Sequence, residues 1–207
     1  MSLDKGRPEL RQITDARTLR ALAHPVRLAL IEELSVGGPL TATEVGERIG
    51  ETPTTCSFHL RQLAKYGLVE EAGGGRGRAR PWRMSTVGLN IKAARGDTES
   101  EVAATTLARM FLDRSLQRYQ TWRDTRRTYP EEWQDATTDS TYLFYVTADE
   151  LGELKEELHG LLMDRYWDRL DDPSRRPPGA APVEMLVISY PVSPPSDTSG
   201  GTDAEGT

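Results

Sequence analysis

The sequence predicts an α+β fold that is mostly helical, and three observations predict it. Between Thr14 and Met84, four stretches with helical spacing of apolar residues precede two short β-type runs around a glycine-rich turn. Beyond residue 96, two long helical patterns alternate with two apolar β-type runs. Apolar residues make up 37% and charged residues 28% of the 207 residues, enough to build a core and too apolar for a disordered chain.

Each element of the first half carries its own start and stop signals. Thr14 is placed to cap a short helix bearing Leu19, Leu22 and Ala23. His24-Pro25 ends it and puts proline at the first position of a second helix with Val26, Leu28, Leu30, Ile31 and Leu34. Gly37-Gly38-Pro39 stops that helix. Thr41-Ala-Thr-Glu44 is a capping box, in which hydroxyl and carboxylate each satisfy a free amide. It opens a third helix that Gly50 closes. Thr52-Pro53 starts a fourth, with Cys56, Leu60 and Leu63 on one side and Gly67 after its end. Leu68-Val69 and Trp82-Arg83-Met84 are strands around the turn at Gly73, Gly74, Gly75 and Gly77. Two short helices joined by a tight turn have helix-turn-helix spacing, and a hairpin directly after them makes a winged helix-turn-helix.

The second half reads as helix-strand-helix-strand. A long helix runs from Glu99 to about Arg127, Tyr142–Val146 is a buried-strand pattern, and Thr147-Ala-Asp-Glu150 is a second capping box. The helix it opens carries Leu151, Leu154, Leu158, Leu161, Leu162 and Tyr166, and Met185–Tyr190 is the last strand pattern. The predicted organisation is a winged helix-turn-helix domain over 10–95, an αβαβ dimerisation and effector segment over 96–190, and a disordered tail over 191–207.

Charge divides the chain in the same place. Residues 1–95 hold 15 Lys and Arg against 10 Asp and Glu, and residues 96–207 hold 11 against 22, for the net charge of −6. The basic half predicts an anionic partner, and the acidic half, with 11 of the 14 aromatics, predicts packing, dimer contacts or a ligand. No apolar run approaches the 18 residues of a membrane span, and Met1–Leu10 lacks a leader's apolar segment, so a cytoplasmic protein with no membrane partner is expected. The single cysteine, Cys56, excludes a disulfide scaffold and a cysteine cluster for zinc. Arginine supplies 22 of the 26 basic residues, a bias that points to a GC-rich bacterial genome.

In a helix-turn-helix the second helix presents its first turns to base edges in the major groove. With Cys56, Leu60 and Leu63 inside, the helix from Pro53 offers Thr52, Thr54, Thr55, Ser57, Phe58, His59, Arg61, Gln62 and Lys65 as DNA-binding residues. Hydroxyls near a helix N-terminus suit phosphate, Phe58 suits a thymine methyl, and Arg61 suits phosphate or guanine. Arg76, Arg78 and Arg80 alternate in the wing and would project together toward the DNA backbone. A solvated helix face is the competing reading of the helix residues, and a flexible loop that of the wing.

The stretches Leu22-Ala-His-Pro-Val-Arg-Leu-Ala-Leu-Ile-Glu-Glu-Leu34, Thr43–Ile49, Thr54-Thr-Cys-Ser-Phe-His-Leu-Arg-Gln-Leu63 and Tyr66-Gly-Leu-Val69 resemble the ArsR family of bacterial repressors, over about residues 13–88. The resemblance implies a homodimeric transcriptional regulator on a pseudo-palindromic operator, dimerised through the flanking helices 14–23 and 99–127. Metal sensors of that family carry a paired cysteine motif in the helix before the recognition helix. Thr43–Ile49 has none, so no metal and no cofactor are expected, and Cys56 reads as a buried small hydrophobe.

No nucleophile motif and no phosphate-binding glycine loop is present, so an enzyme is not expected. Tyr119, Trp122, Trp133, Tyr142, Tyr145, Tyr166 and Trp167 are candidates for an effector site, with core and dimer interface as the competing reading. Three functions follow: a repressor modulated by a small organic effector, an effectorless DNA binder governed by a protein partner, and an enzyme with a vestigial winged domain.

Overall fold

The computed structural model describes residues 11–73, 80–86 and 88–194. Strand β1 (Arg11–Ile13) leads into four helices, α1 (Ala16–Leu22), α2 (Pro25–Gly37), α3 (Ala42–Ile49) and α4 (Pro53–Lys65). Strands β2 (Val69–Glu71) and β3 (Trp82–Met84) pair antiparallel with Val69 opposite Met84, forming the wing. Leu40 makes an isolated bridge to Trp82, which hooks the α2–α3 connection onto the wing. Strand β4 (Leu89–Ile91) returns to pair in parallel with β1, Arg11 opposite Leu89. A long helix α5 (Thr98–Thr125), a short α6 (Glu131–Ala136) and α7 (Ala148–Asp171) follow, with 3-10 turns at Arg126–Thr128 and Pro173–Arg175.

The helix ends follow the predicted chemistry with one change. Thr41 and Glu44 form the capping box on α3, Thr147 and Glu150 that on α7, and Thr52 caps α4 by accepting from the Thr55 amide. Gly67 has φ 63°, and the amides of Gly67 and Leu68 donate to the carbonyls of Ala64 and Leu63, the six-to-one closure that needs a left-handed residue. At α1 the cap is Asp15, not Thr14: its carboxylate accepts from the Thr18 amide at 2.8 Å. Two adjacent cap-forming residues compete there, and the position in register with Thr18 takes the role.

The core joins all of α1 to α4 to the start of α5. Leu19, Leu22, Leu28, Leu30, Val45, Leu60, Leu63 and Leu68 are fully buried, and Ala103 and Leu107 complete the cluster from α5. Ser100 fixes α5 in place: its hydroxyl donates to the Thr14 carbonyl at 2.6 Å and accepts from the Ala94 amide. Arg114 grips Glu32 of α2 through two nitrogens, with Nη2 to Oε2 at 2.5 Å.

The strands expected at 142–146 and 185–190 do not form within the chain. Among the described residues neither segment joins a ladder, and every residue in both is exposed. No described residue of α7 is buried, and α7 packs chiefly on the 3-10 turn that follows it. Apolar β-type sequence supplies propensity, but a strand exists only when a partner completes its hydrogen bonds, and the described residues bring none to these two segments. The tail expected to be disordered lies outside the described residues from 195 onward.

Candidate nucleic-acid interface

Helices α3 and α4 form the site. Gly50 ends α3 at φ 73°, a left-handed conformation that favours glycine, and the Glu51 amide donates back to the Gly46 carbonyl at 3.0 Å. Gly46 is a second requirement of the turn, one that sequence reading passed over. A Cβ there would meet the Glu51 carbonyl oxygen at 2.6 Å and the Cys56 sulfur at 3.4 Å. Only the bare glycine lets the turn fold back this closely, and a glycine inside an otherwise regular helix was the available signal.

Core packing then fixes which way α4 faces. Cys56, Leu60 and Leu63 are fully buried, so Thr54, Phe58, Arg61 and Lys65 lie exposed and Ser57 and Gln62 half-buried. Phe58 is 56% exposed, a large ring that the fold does not bury in its own core. The 13 residues of α4 span about 20 Å, long enough to lie in a major groove. Among the described residues Arg61 and Lys65 make no ion pair, so both charges face solvent. Thr52 and Thr55 are partly engaged with each other, their hydroxyls 2.9 Å apart at the cap.

His59 points elsewhere. Its ring lies 4.5 Å from His24 and edge-on to Phe58, and its Nδ1 is buried with no hydrogen-bond partner among the described residues. Burial pushes its pKa down, helped by the charges of His24 and Arg27, so the neutral ring is the favoured form. His59 therefore supports α4 against the N-terminus of α2, where His24 Nδ1 accepts from the Val26 amide at 3.2 Å. Cys56 is fully buried, and burial raises its thiol pKa, as expected of a packing residue.

The wing carries paired arginines. Arg80 donates to Glu71 at 2.7 Å, which raises its pKa, and Arg83 donates to Glu70. Arg76 and Arg78 lie outside the described residues.

The seven aromatics proposed for an effector are only partly brought together. Tyr119 and Trp122 lie 6.0 Å apart on α5, and the Tyr119 hydroxyl donates to Asp139 at 2.9 Å. Trp133 is half-buried on α6, Tyr142 and Tyr145 are exposed on the 142–146 segment, and Tyr166 and Trp167 sit on α7. A groove of about 430 Å³ between α1 and α5 is lined by Arg20, Ala23, Thr98, Val102, Ala103 and Thr106 among others, and by none of these aromatics. Among the described residues, no group of three or more His, Cys, Asp or Glu could hold a metal, and no helix is long and apolar enough to cross a membrane.

Residues 22–72 match the family model described as a helix-turn-helix domain. The match spans α2 to the wing strand β2. Solved structures similar to the chain include reduced HlyU from Vibrio cholerae N16961, at 22% identity over 45% of this chain and 83% of that one, with a TM-score of 0.30. The transcriptional repressor BigR from Xylella fastidiosa is 24% identical over 48% of this chain and 84% of its own, with a TM-score of 0.31. NMB1585, a MarR family regulator from Neisseria meningitidis, is 20% identical over 67% and 80%, with a TM-score of 0.32. No curated protein matches the chain.

Proposed function

We propose that the chain is a cytoplasmic, sequence-specific transcriptional regulator of the ArsR type, a repressor that binds a pseudo-palindromic operator as a homodimer. The observation that carries this reading is the outward row of α4. Thr54, Ser57, Phe58, Arg61 and Lys65 stand on a helix whose other side is locked into the core by Cys56, Leu60 and Leu63. Thr54 and Ser57 hydroxyls suit phosphate or base edges, Phe58 a thymine methyl, and Arg61 a guanine or phosphate. Arg76, Arg78 and Arg80 of the wing are assigned to the neighbouring backbone. A homodimer presents two such helices, so half-sites lie about 10–10.5 bp apart or at a multiple.

The C-terminal half is assigned to dimerisation and to sensing a small organic effector. Tyr119 and Trp122, in contact on α5, and the exposed Tyr142 and Tyr145 support a site completed by a second subunit. Selection of bound duplexes from a random pool, followed by footprinting, tests the DNA reading. A two-fold related pair of protected half-sites is expected, and protection of one asymmetric half-site by a monomer would contradict it. Operator release by an aromatic or apolar metabolite, with a change in tryptophan fluorescence, tests the effector assignment.

A further inference from the structure

The exposed segments 142–146 and 185–190 have the sequence of buried strands and the surroundings of neither strand nor loop. Leu143 is 81% exposed, Tyr145 fully so, and Met185, Val187 and Ile188 each more than half. In a half-buried strand alternate residues are hidden, whereas here both faces and both edges are open. Both segments are nevertheless anchored on α5. Asp139 accepts from Tyr119 and Arg123, and Glu184 accepts from Ser115 and Arg118. The two arginines are five residues apart, about 7.5 Å along the helix, so both segments leave the same stretch of α5.

The chain also exposes more surface than a compact monomer of its mass. The accessible surface is 15992 Å² for a chain of 23.1 kDa, whereas a compact monomer of that mass exposes about 9,700 Å². Counting every residue outside the described set as fully solvated still leaves a surplus on the order of 2,800 Å². An obligate homodimer buries about 1,000–2,500 Å² on each subunit, so a second copy accounts for most of this surplus. Charge is compatible as well. Residues 140–146 and 185–192 contain no ionisable acid or base at neutral pH, although residues 96–207 carry 22 acids against 11 bases. Two acidic halves can therefore meet at these segments without opposing carboxylates. A two-fold axis also pairs a strand with its own copy in antiparallel register, the arrangement that needs no further chain.

We propose that residues 142–146 and 185–190 pair with the same segments of a second copy to form one β-sheet shared between subunits. This rests on the homodimer reading above and adds a second contact beside the flanking helices 14–23 and 99–127. The exposed Leu154 and Leu161 of α7, seven residues apart and so on one side of the helix, then cover one face of that sheet.

Amide hydrogen exchange on the full chain tests it, at concentrations where sedimentation equilibrium finds the dimer. Both segments should exchange about 100-fold or more slower than free peptide. Val187→Pro removes a ladder donor in each subunit and should weaken the dimer about 10-fold or more, leaving protection in α1 to α4 unchanged. Val187→Thr keeps the donor and should dimerise within about 3-fold of the parent. A dimer whose two segments exchange at the free rate, or one indifferent to Val187→Pro, overturns the shared sheet and leaves DNA recognition standing. Protection in a species that sediments as a monomer overturns it too, by showing pairing within the chain. Failure of the dimeric parent to select any DNA overturns the regulator reading without touching the sheet.

Discussion

Replacing Gly46 by alanine tests whether the α3–α4 turn is as tight as described. Two terms oppose each other. Alanine is preferred over glycine within a helix by up to about 1 kcal/mol. Against it, the new Cβ would lie 2.6 Å from the Glu51 carbonyl oxygen and 3.4 Å from the Cys56 sulfur. That oxygen is backbone, and the same residue's amide is tied to the Gly46 carbonyl at 3.0 Å, so it cannot retreat without loosening the turn. Overpacking of this kind costs about 1–3 kcal/mol. The clash wins, and the expected net effect is a loss of about 1–2 kcal/mol, read as a lower urea midpoint at unchanged slope. Gly152 in α7 is the control, since a Cβ there meets nothing within 4 Å. Gly152→Ala should leave the unfolding of the winged domain unmoved and raise the stability of α7. A Gly46→Ala protein as stable as the parent would refute the close approach.

Two further perturbations follow from the same core. Burial, with the charge of Arg27, holds the pKa values of His24 and His59 below their ordinary 6.5, so the folded state binds fewer protons than the unfolded one. Stability is then complete above pH 6.5 and falls as the pH drops below it; the charge of Glu51, which acts on both rings, opposes this only in part. The melting temperature should fall between pH 7.5 and 5.5, and the slope should flatten in His59→Gln; equal slopes in the two proteins would remove the histidine pair as the cause. Cys56→Ser buries a hydroxyl among apolar side chains and should cost about 1–3 kcal/mol by urea unfolding, with no dependence on added zinc or arsenite. Stoichiometric metal binding that disappears in this variant would overturn its packing role.

The winged half was legible because its signals are local. The capping box at Thr41/Glu44, Thr52-Pro53 and Gly67 each act within a few residues, and each sits where the pattern placed it. What was hidden depends on distant partners. The parallel pairing of Arg11–Ile13 with Leu89–Ile91 and the grip of Arg114 on Glu32 link residues some 80 apart, and neither leaves a local pattern. The ring of His59 turned inward because His24 offered a stacking partner that only the fold brings near. Tyr142–Val146 and Met185–Tyr190 carry the apolar pattern of strands, and among the described residues no partner completes them. Core membership of Ala103 and Leu107 likewise shows that the start of α5 belongs with the winged core, so a fragment ending at residue 95 would expose apolar surface rather than isolate a module.

The central claim is that α4 reads DNA with its outward row, and the salt dependence of operator binding by Arg61→Ala tests it most directly. The operator is first selected from a random duplex pool with the full chain, and affinity is then measured across a salt series for parent and variant. If Arg61 meets a phosphate in each subunit, the variant should bind more weakly and the slope of log K against log salt should flatten by about 2. If Arg61 reads guanine instead, the slope holds and discrimination at one base pair of each half-site falls by about 1–3 kcal/mol. A variant with the parent's affinity, slope and sequence preference would contradict the account, as would a full chain that selects no sequence at low salt.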